Sequence, residues 1–420
     1  MLAAVFLYGD TNIAEVGRSR FPIFAPARES FFSGQMPICF FMHTIQGFDL
    51  QQEAREGMAM TRRERHIYAA GNTARGYKTF FESVLEGMER IYYLTGVVEG
   101  ITSPLIETIG TEMGRKTDRV EWIHSPFENG QYDGVIFPEW KVAIMDSSYP
   151  RMTRPFAPGV TEIHVNLQTS LNVDQLSPYA AQISGWFEGI ERKSQEAYEA
   201  FGEALRIHDE WEAPYIENLD RDKANLVTDE LLGLLFSDEP LSKPANVRRM
   251  YLGAATPLGP VDHIMKLTDH LDKRYFIKGR PGSGKSTMLK KLVNEAVKQG
   301  MDVEVYHCGL DPHSLDMVIL PEKSVALFDS TAPHEYFPSK PSDEVVDMYE
   351  RAITPGTDEK YEEELLDIKV RYTQKIKEAT ACLAVAKELR DQLNNVYVEA
   401  TDQQRLKAVV QAIIGRLSRM

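Results

Sequence analysis

The sequence predicts an α/β protein made of two tandem copies of one domain, each a parallel sheet with flanking helices and an appended helical hairpin. Three observations predict this fold. The chain repeats itself at a fixed spacing, short apolar strands alternate with helices within each copy, and a long helical pattern closes each copy. With 420 residues, 43% of them hydrophobic, the chain is long enough for two hydrophobic cores.

The internal repeat is visible when residues 65–150 are placed over residues 248–333, at an offset of 183. The string VEWIHSPFENGQYDGVIFPEWKVAIMDSSYP then lies over VEVYHCGLDPHSLDMVILPEKSVALFDSTAP. Closer to the end of each copy the offset becomes 182, which pairs Gly233 with Gly415. Matches that persist over this length indicate a tandem duplication.

The repeat and the composition of the segments between its copies predict the domain boundaries. Residues 237–247 contain two prolines and several polar residues, as expected of a linker. Residues 1–60 match neither copy, and Met58 and Met60 are alternative start positions within them. The predicted organisation is an extension at 1–60, a first copy at 61–236, a linker at 237–247 and a second copy at 248–420.

The elements of the second copy follow from local patterns. Apolar runs predict strands in RYFIKG, DVEVYHC and SVALFD, and KSTMLKKLVNEAVKQG reads as an amphipathic helix that Gly300 ends. Apolar residues then recur every three or four positions over 365–393 and 406–417, which predicts a helical hairpin. Two roles remain open for this hairpin: it covers the sheet, or it protrudes as an arm that contacts a protein partner or moves with the state of a bound ligand.

Composition excludes several classes of protein. A net charge of −15 and a pI near 5.3 argue against general nucleic-acid binding, because phosphate backbones need a basic surface. Cys39, Cys308 and Cys382 have no pair spacing, so neither disulfides nor a zinc cluster are expected. No export signal or membrane span is expected either, and these features together predict a cytoplasmic protein.

The strongest motif is GRPGSGKS at 279–286, which matches the P-loop pattern G-x4-G-K-[ST] between a predicted strand and helix. Glycines let such a loop wrap so that its N–H groups point at phosphate oxygens. Lys285 is predicted to reach the β- and γ-phosphates, Ser286 to ligate Mg²⁺, and Thr287 to contact the α-phosphate. The predicted nucleotide-binding residues are Gly279, Arg280, Pro281, Gly282, Ser283, Gly284, Lys285, Ser286 and Thr287.

The string VALFD supplies the second half of the predicted site. It ends in Asp329, which a buried strand would place beside the loop to hold Mg²⁺. Ser330 follows, where many ATP hydrolases have a glutamate that orients water. No guanine-selecting string is present, so ATP and Mg²⁺ are the expected ligands. The predicted catalytic residues are Lys285, Asp329 and His334, the last assigned to phosphate or an acceptor because the first copy has Arg151 instead.

Other polar residues of the second copy have matched residues in the first copy. His307, Asp316 and Glu322 align with His124, Asp133 and Glu139. Because the first copy lacks the loop chemistry, retention in both copies favours structural roles for all three.

The first copy has the string TGVVEGITSP at 95–104, aligned with the loop of the second copy. Glu99 replaces Gly282, Ile101 replaces Gly284 and Thr102 replaces Lys285, and each change opposes phosphate binding. Ser103 and Asp146 are retained. We therefore predict a first copy that stabilises, regulates or caps the second.

Three arginines of the first copy are candidates for reaching across to the second site. Arg75, Arg151 and Arg154 are each interpreted as solvated surface residues, with an arginine finger as the alternative.

The strings GNTARGY, KGRPGSGKST and ALFDSTAPH resemble an uncharacterised family of tandem P-loop ATPases from Gram-positive, often spore-forming, bacteria. The resemblance covers about residues 65–418 and implies tandem P-loop NTPase domains with ATP binding at 279–287, without naming a substrate. The degenerate loop of the first copy departs from the pattern, in which both loops are often intact.

Three functions follow as expectations. The first is a Mg²⁺-dependent ATPase with one working site in the second copy. The second is a phosphotransferase that acts on an unknown acceptor, favoured by Ser330. The third is a nucleotide-regulated scaffold with little turnover.

Overall fold

The computed structural model describes residues 63–151, 157–331 and 335–420. The predictions for the extension at 1–60, for Arg154 and for His334 lie outside these ranges. All described residues belong to one compact unit. Within them, no helix has both the length and the apolar character needed to cross a membrane.

The first copy alternates short strands with helices and ends in two longer helices. Its elements are β1 (Arg63–Ile67), β2 (Ala70–Thr73), β3 (Gly76–Thr79), α1 (Phe81–Val84), β4 (Arg90–Thr95), α2 (Glu99–Gly114), β5 (Arg119–His124), β6 (Tyr132–Phe137), β7 (Val142–Asp146), β8 (Glu162–Asn166), α3 (Val173–Leu176), α4 (Ala180–Glu217) and α5 (Arg221–Leu235).

The second copy repeats this order at the spacing of the sequence repeat: β4 and β12 begin 183 residues apart, and α4 and α10 begin 182 apart. Its elements are β9 (Val247–Tyr251), β10 (Gly253–Thr256), β11 (Gly259–Asp262), α6 (Ile264–Thr268), β12 (Lys273–Lys278), α7 (Lys285–Lys298), β13 (Val303–His307), β14 (Leu315–Leu320), β15 (Val325–Asp329), β16 (Glu344–Asp347), α8 (Met348–Ala352), α9 (Thr357–Lys360), α10 (Glu362–Glu399) and α11 (Gln403–Leu417).

Each copy contains a six-stranded sheet, in the orders β1-β5-β6-β7-β4-β8 and β9-β13-β14-β15-β12-β16. The α/β class is as predicted, but the prediction of a parallel sheet is wrong. Strands β6 and β14 run antiparallel to both neighbours, so the sheets are mixed. The physical reason is the connection at 125–131, because a parallel crossover needs about a dozen residues or more and this one is shorter.

The two sheets share one core. A cluster of buried residues from both copies fills the space between the facing sheets, and α1 and α6 contribute to it. Its members include Phe81, Ile123, Ile264, Phe276 and Phe328. The copies are therefore joined by a continuous apolar layer, whose burial is the dominant favourable contribution to folding.

On the outer side of each sheet, a helix from the other copy packs against the helix that covers the sheet. On the first sheet, the cluster that contains α2 also contains Leu406, Val410, Ile413 and Leu417 of α11. On the second sheet, the cluster that contains α7 also contains Val227, Leu231 and Leu235 of α5. The last helices therefore add to the cover of a sheet, as in one of the two predicted roles, but each packs on a helix of the opposite copy: α11 on α2 and α5 on α7.

Helices α4 and α10 carry the chain between the copies. Each has 38 residues, a length of about 57 Å. They run antiparallel, since Glu203 pairs with Lys375 and Glu210 with Arg371. They approach closely at Gly189, where an added Cβ would lie 2.8 Å from Leu389 Cδ1.

Ion pairs across the shared core are reciprocal. Arg65 donates to Glu304 at 2.6 and 2.5 Å, and its repeat equivalent Arg248 contacts Glu121 at 2.6 Å. Glu304 is likewise the equivalent of Glu121 at the offset of 183. Such an exchange is the pattern of a two-fold symmetric dimer interface, here within one chain.

Three histidines lie together at this junction. His66 Nδ1 is 2.8 Å from His124 Nε2, and the His263 ring lies 4.6 Å from the His124 ring. Burial lowers the pKa of all three side chains, to about 4 for His263, and the charge of Lys266 acts in the same direction. The cluster is therefore neutral in the folded protein near neutral pH.

We expect the free energy of unfolding to fall as the pH is lowered from about 6.5 toward 4.5. The unfolded chain takes up protons in this window that the folded histidines do not, at about 1.4 kcal/mol per proton per pH unit. The sign follows from folded-state pKa values that lie below the unfolded value. Urea unfolding at several pH values measures the slope.

The variant His263→Phe should make this slope shallower. Phe80 occupies the equivalent position in the first copy and stacks on His307, so the change reproduces a packing that the fold already contains. The exposed His313→Asn serves as the control. An unchanged slope in His263→Phe would contradict the assignment.

Candidate functional site

The second-copy loop (residues 279–287) joins β12 to α7. Gly282 and Gly284 have φ values of 75° and 90°, which side-chain-bearing residues adopt only with strain. Helix α7 begins at Lys285, directly after Gly284. The glycines therefore let the chain turn tightly into the N-terminus of α7, which carries a partial positive charge.

Lys285, Ser286 and Asp329 come together at this helix end. Lys285 Nζ donates to Arg280 O at 2.9 Å and lies 3.6 Å from Asp329 Oδ2. Ser286 Oγ accepts a hydrogen bond from Leu315 N at 3.0 Å. Strands β12 and β15 are adjacent and parallel, which places Asp329 beside the loop as the sequence predicted.

A cleft of about 560 Å³ opens over the loop. Residues 280–287 and Asp329 all line it, so the structure brings together the predicted site residues with two exceptions. Gly279 lies before the part of the loop that lines the cleft, and His334 is outside the described residues. The remaining walls include side chains from the first copy: His208, Glu212, Arg221, Asn225 and Thr228.

Helix α4 lies directly against the loop. A Cβ at Gly282 would lie 2.8 Å from Glu212 O and 2.9 Å from Ile216 Cγ1, so only glycine fits there. Burial raises the pKa of Glu212, while a hydrogen bond from the Gly282 N–H acts in the opposite direction. Burial lowers the pKa of His208 to about 4, and the Lys285 charge adds to this.

The residues from α4 and α5 are absent from the sequence prediction. Nothing in the local pattern of these helices indicates that they reach the other copy. A weak signal exists in the repeat, because His208 and Glu212 align at the offset of 182 with Arg390 and Asn394, so the two long helices carry different polar groups at the same positions.

The first-copy loop (residues 96–104) has a different backbone. Helix α2 begins at Glu99, whereas the equivalent of the α7 start, Lys285, would be Thr102. The first copy therefore has three helical residues where the second copy has an open loop. This adds a structural cause to the predicted loss of phosphate binding, since the wrapped backbone is gone.

An ionic cluster occupies the first-copy site. Arg151 donates to Glu99 Oε2 and to Asp133 Oδ1, both at 2.6 Å, and lies 3.5 Å from Asp146. Arg390 of α10 contacts Glu99 from the other side at 3.3 Å. The prediction that Arg151 is a solvated surface residue is wrong, because it is 2% exposed and the three carboxylates compensate its charge.

Of the other candidate arginines, Arg75 reaches the second copy. It is half-exposed and pairs with Asp311 at 2.8 Å, at the wall of the cleft. Each copy also contains an equivalent hydrogen bond to the serine of its loop. Ser103 Oγ accepts from Tyr132 N at 2.9 Å in the first copy, and Ser286 Oγ accepts from Leu315 N in the second. This contact is common to both copies and needs no ligand.

Comparisons with known proteins found no matching protein-family model, no matching curated protein and no matching solved structure.

Proposed function

We propose that the protein binds ATP with Mg²⁺ in the cleft of the second copy and hydrolyses it there. One observation supports this most strongly. The two copies share their strand order and helix positions, but the second has an open loop and a lysine at the helix start, and these line a cleft. The first copy has helical backbone and a buried arginine in the equivalent place.

The donor groups of the cleft suit a triphosphate. The loop contributes N–H groups at a helix N-terminus, and Lys285 adds a positive charge beside them. In the proposal, the side chains of Ser286 and Asp329 hold Mg²⁺, a hard cation that binds one or two carboxylates together with phosphate oxygens. The metal would neutralise charge on the transferred phosphoryl group.

Ser330 does not serve as the residue that orients water. It is fully buried, and its hydroxyl donates to Tyr336 O at 2.7 Å. Glu212 of α4 is the better candidate, because it lines the same cleft and burial raises its pKa, which makes the carboxylate a stronger base. Phosphotransfer to an acceptor remains the second candidate, favoured by this substitution at the position after Asp329.

The variant Lys285→Ala tests the proposal. A charge-assisted contact of about 1.5–3 kcal/mol is lost, which corresponds to roughly 10- to 100-fold weaker ATP binding. Binding is measured with a fluorescent ATP analogue, and turnover by ADP release with Mg²⁺. The matched control is Lys298→Ala, the same substitution at the exposed end of the same helix.

The outcomes separate the candidate functions. Loss of binding in Lys285→Ala alone, with turnover by the wild type in the absence of an acceptor, supports the ATPase. Lysine-dependent binding without turnover directs the search to an acceptor, or to a nucleotide-regulated scaffold. Equal binding by both variants and wild type would remove the assigned site.

A further inference from the structure

The buried carboxylate of Asp316 is unexplained by the site described above. Asp316 lies on β14, is 6% exposed and lines the cleft. Its Oδ2 atom is buried and has no hydrogen-bond partner among the described residues. A buried, uncompensated carboxylate is costly, so its retention needs a cause.

Asp316 faces Asp329 across two neighbouring strands. Met317 of β14 is paired with Phe328 of antiparallel β15, and this register, extended by one residue, places Asp316 opposite Asp329; both residues line the cleft. Directly opposite residues of an antiparallel pair carry their side chains on the same face, with Cβ atoms about 4.5–5.5 Å apart. Like charges in this arrangement repel, and a cation between them removes the repulsion.

In the first copy, a cationic side chain lies between the equivalent pair of carboxylates. Its equivalents of Asp316 and Asp329 are Asp133 and Asp146. The Arg151 guanidinium lies between them, 2.6 Å from Asp133 and 3.5 Å from Asp146. An internal cation therefore compensates the pair in the copy that has lost its loop.

The second copy has no arginine at the equivalent position, where the sequence has His334. Lys285 lies 3.6 Å from Asp329, and no ion pair within the described ranges reaches Asp316. The same carboxylate pair thus has an open cleft in place of a built-in guanidinium.

We infer that Asp316 is a ligand of the divalent cation and binds it together with Asp329. The inference rests on the proposed function for the source of the remaining ligands, which are phosphate oxygens. Two carboxylates, the Ser286 hydroxyl and phosphate make a hard oxygen set of the kind that Mg²⁺ prefers. Conservation between the copies then reflects cation binding in both: a guanidinium in one and a metal ion in the other. The sequence predicted a structural role for Asp316, and the inference adds metal binding to that role.

The test measures metal affinity directly. Mn²⁺ is titrated into the full chain and followed by EPR, with protein alone and with ADP present. Asp316→Asn is expected to weaken Mn²⁺ binding by about 10- to 100-fold. The control Asp311→Asn, a carboxylate of the same cleft that pairs with Arg75, should stay within about twofold of wild type.

A second variant distinguishes a ligand from a merely structural residue. Asp316→Cys should lose Mn²⁺ affinity and gain Cd²⁺ affinity, because a soft thiolate prefers the softer metal. Asp316→Asn should gain no Cd²⁺ affinity. Without metal, Asp316→Asn should be at least as stable to urea as wild type, since it relieves like-charge repulsion.

Two results would overturn the inference: Mn²⁺ affinity of Asp316→Asn within twofold of wild type in both conditions, or no Mn²⁺ binding by wild type in either. A wild type that binds Mn²⁺ through Asp316 but binds no nucleotide would instead reject the proposed function and retain the metal site. The two failures are therefore distinguishable.

Discussion

Arg151→Leu is expected to lower the free energy of unfolding by about 3–5 kcal/mol. The Arg151 guanidinium compensates Glu99, Asp133 and Asp146, all of which are buried. Removing it leaves carboxylates in a low-dielectric site, where burial already raises the pKa of Asp133 to about 6. An unpaired buried charge is destabilising mainly through its lost hydration. Urea unfolding at pH 7 measures the change.

The double variant Arg151→Leu with Asp133→Asn should recover part of the loss, because Asp133 loses its ion-pair partner Arg151 and the substitution removes this stranded charge, whereas Glu99 keeps its contact with Arg390. The exposed Arg115→Leu is the control, since its pairing with Glu112 at 3.7 Å is worth at most about 1 kcal/mol. A loss below about 1 kcal/mol in Arg151→Leu would mean that water reaches the first-copy site and that the cluster does not fill it.

Cutting the chain in the linker is expected to leave the two copies associated. A protease site inserted at the exposed Glu239 would be cleaved, yet the fragments should elute together in gel filtration. The reason is the exchange of helices: α5 packs on α7 and α8 of the second copy, α11 packs on α2 of the first, and α4 pairs with α10 along its length.

Each fragment expressed alone should fail to fold. The first would expose Val227, Leu231 and Leu235, and its helix α2 would lose the cover that α11 provides. Aggregation and binding of an apolar dye are the measurements, and the uncut insertion variant is the control. A monodisperse, cooperatively unfolding first fragment would contradict this and would support two independent domains at the predicted boundaries.

The glycine turn between β12 and α7 is a short-range feature, and its place between a strand and a helix was therefore predictable. A glycine-rich turn between an apolar strand and an amphipathic helix fixes its own backbone within a few residues. The position of Asp329 also followed, because adjacent parallel strands end at the same sheet edge. The nucleotide and the reaction stay predictions.

The direction of β6 and β14 was not predicted, although both copies contain the same strand. An apolar run predicts a strand but not its direction relative to the neighbouring strands, because that direction depends on the length of the connecting segment. The burial of Arg151 was not predicted either. An isolated arginine is usually exposed, and only the three carboxylates that the fold collects around it make burial possible.

By itself, the sequence determined that the chain is a duplication, that each copy is α/β, and that the copies differ at the loop. Repeats, hydrophobic periodicity and local turns can be recognised from the sequence directly, because they do not depend on contacts between distant residues. The tertiary structure decided which copy each last helix packs against, that α4 forms a wall of the other copy's cleft, and that Arg151 compensates the carboxylates of its own copy. Helical periodicity shows that a face is buried but not against what, and contacts between residues far apart in the chain exist only once the whole core has formed.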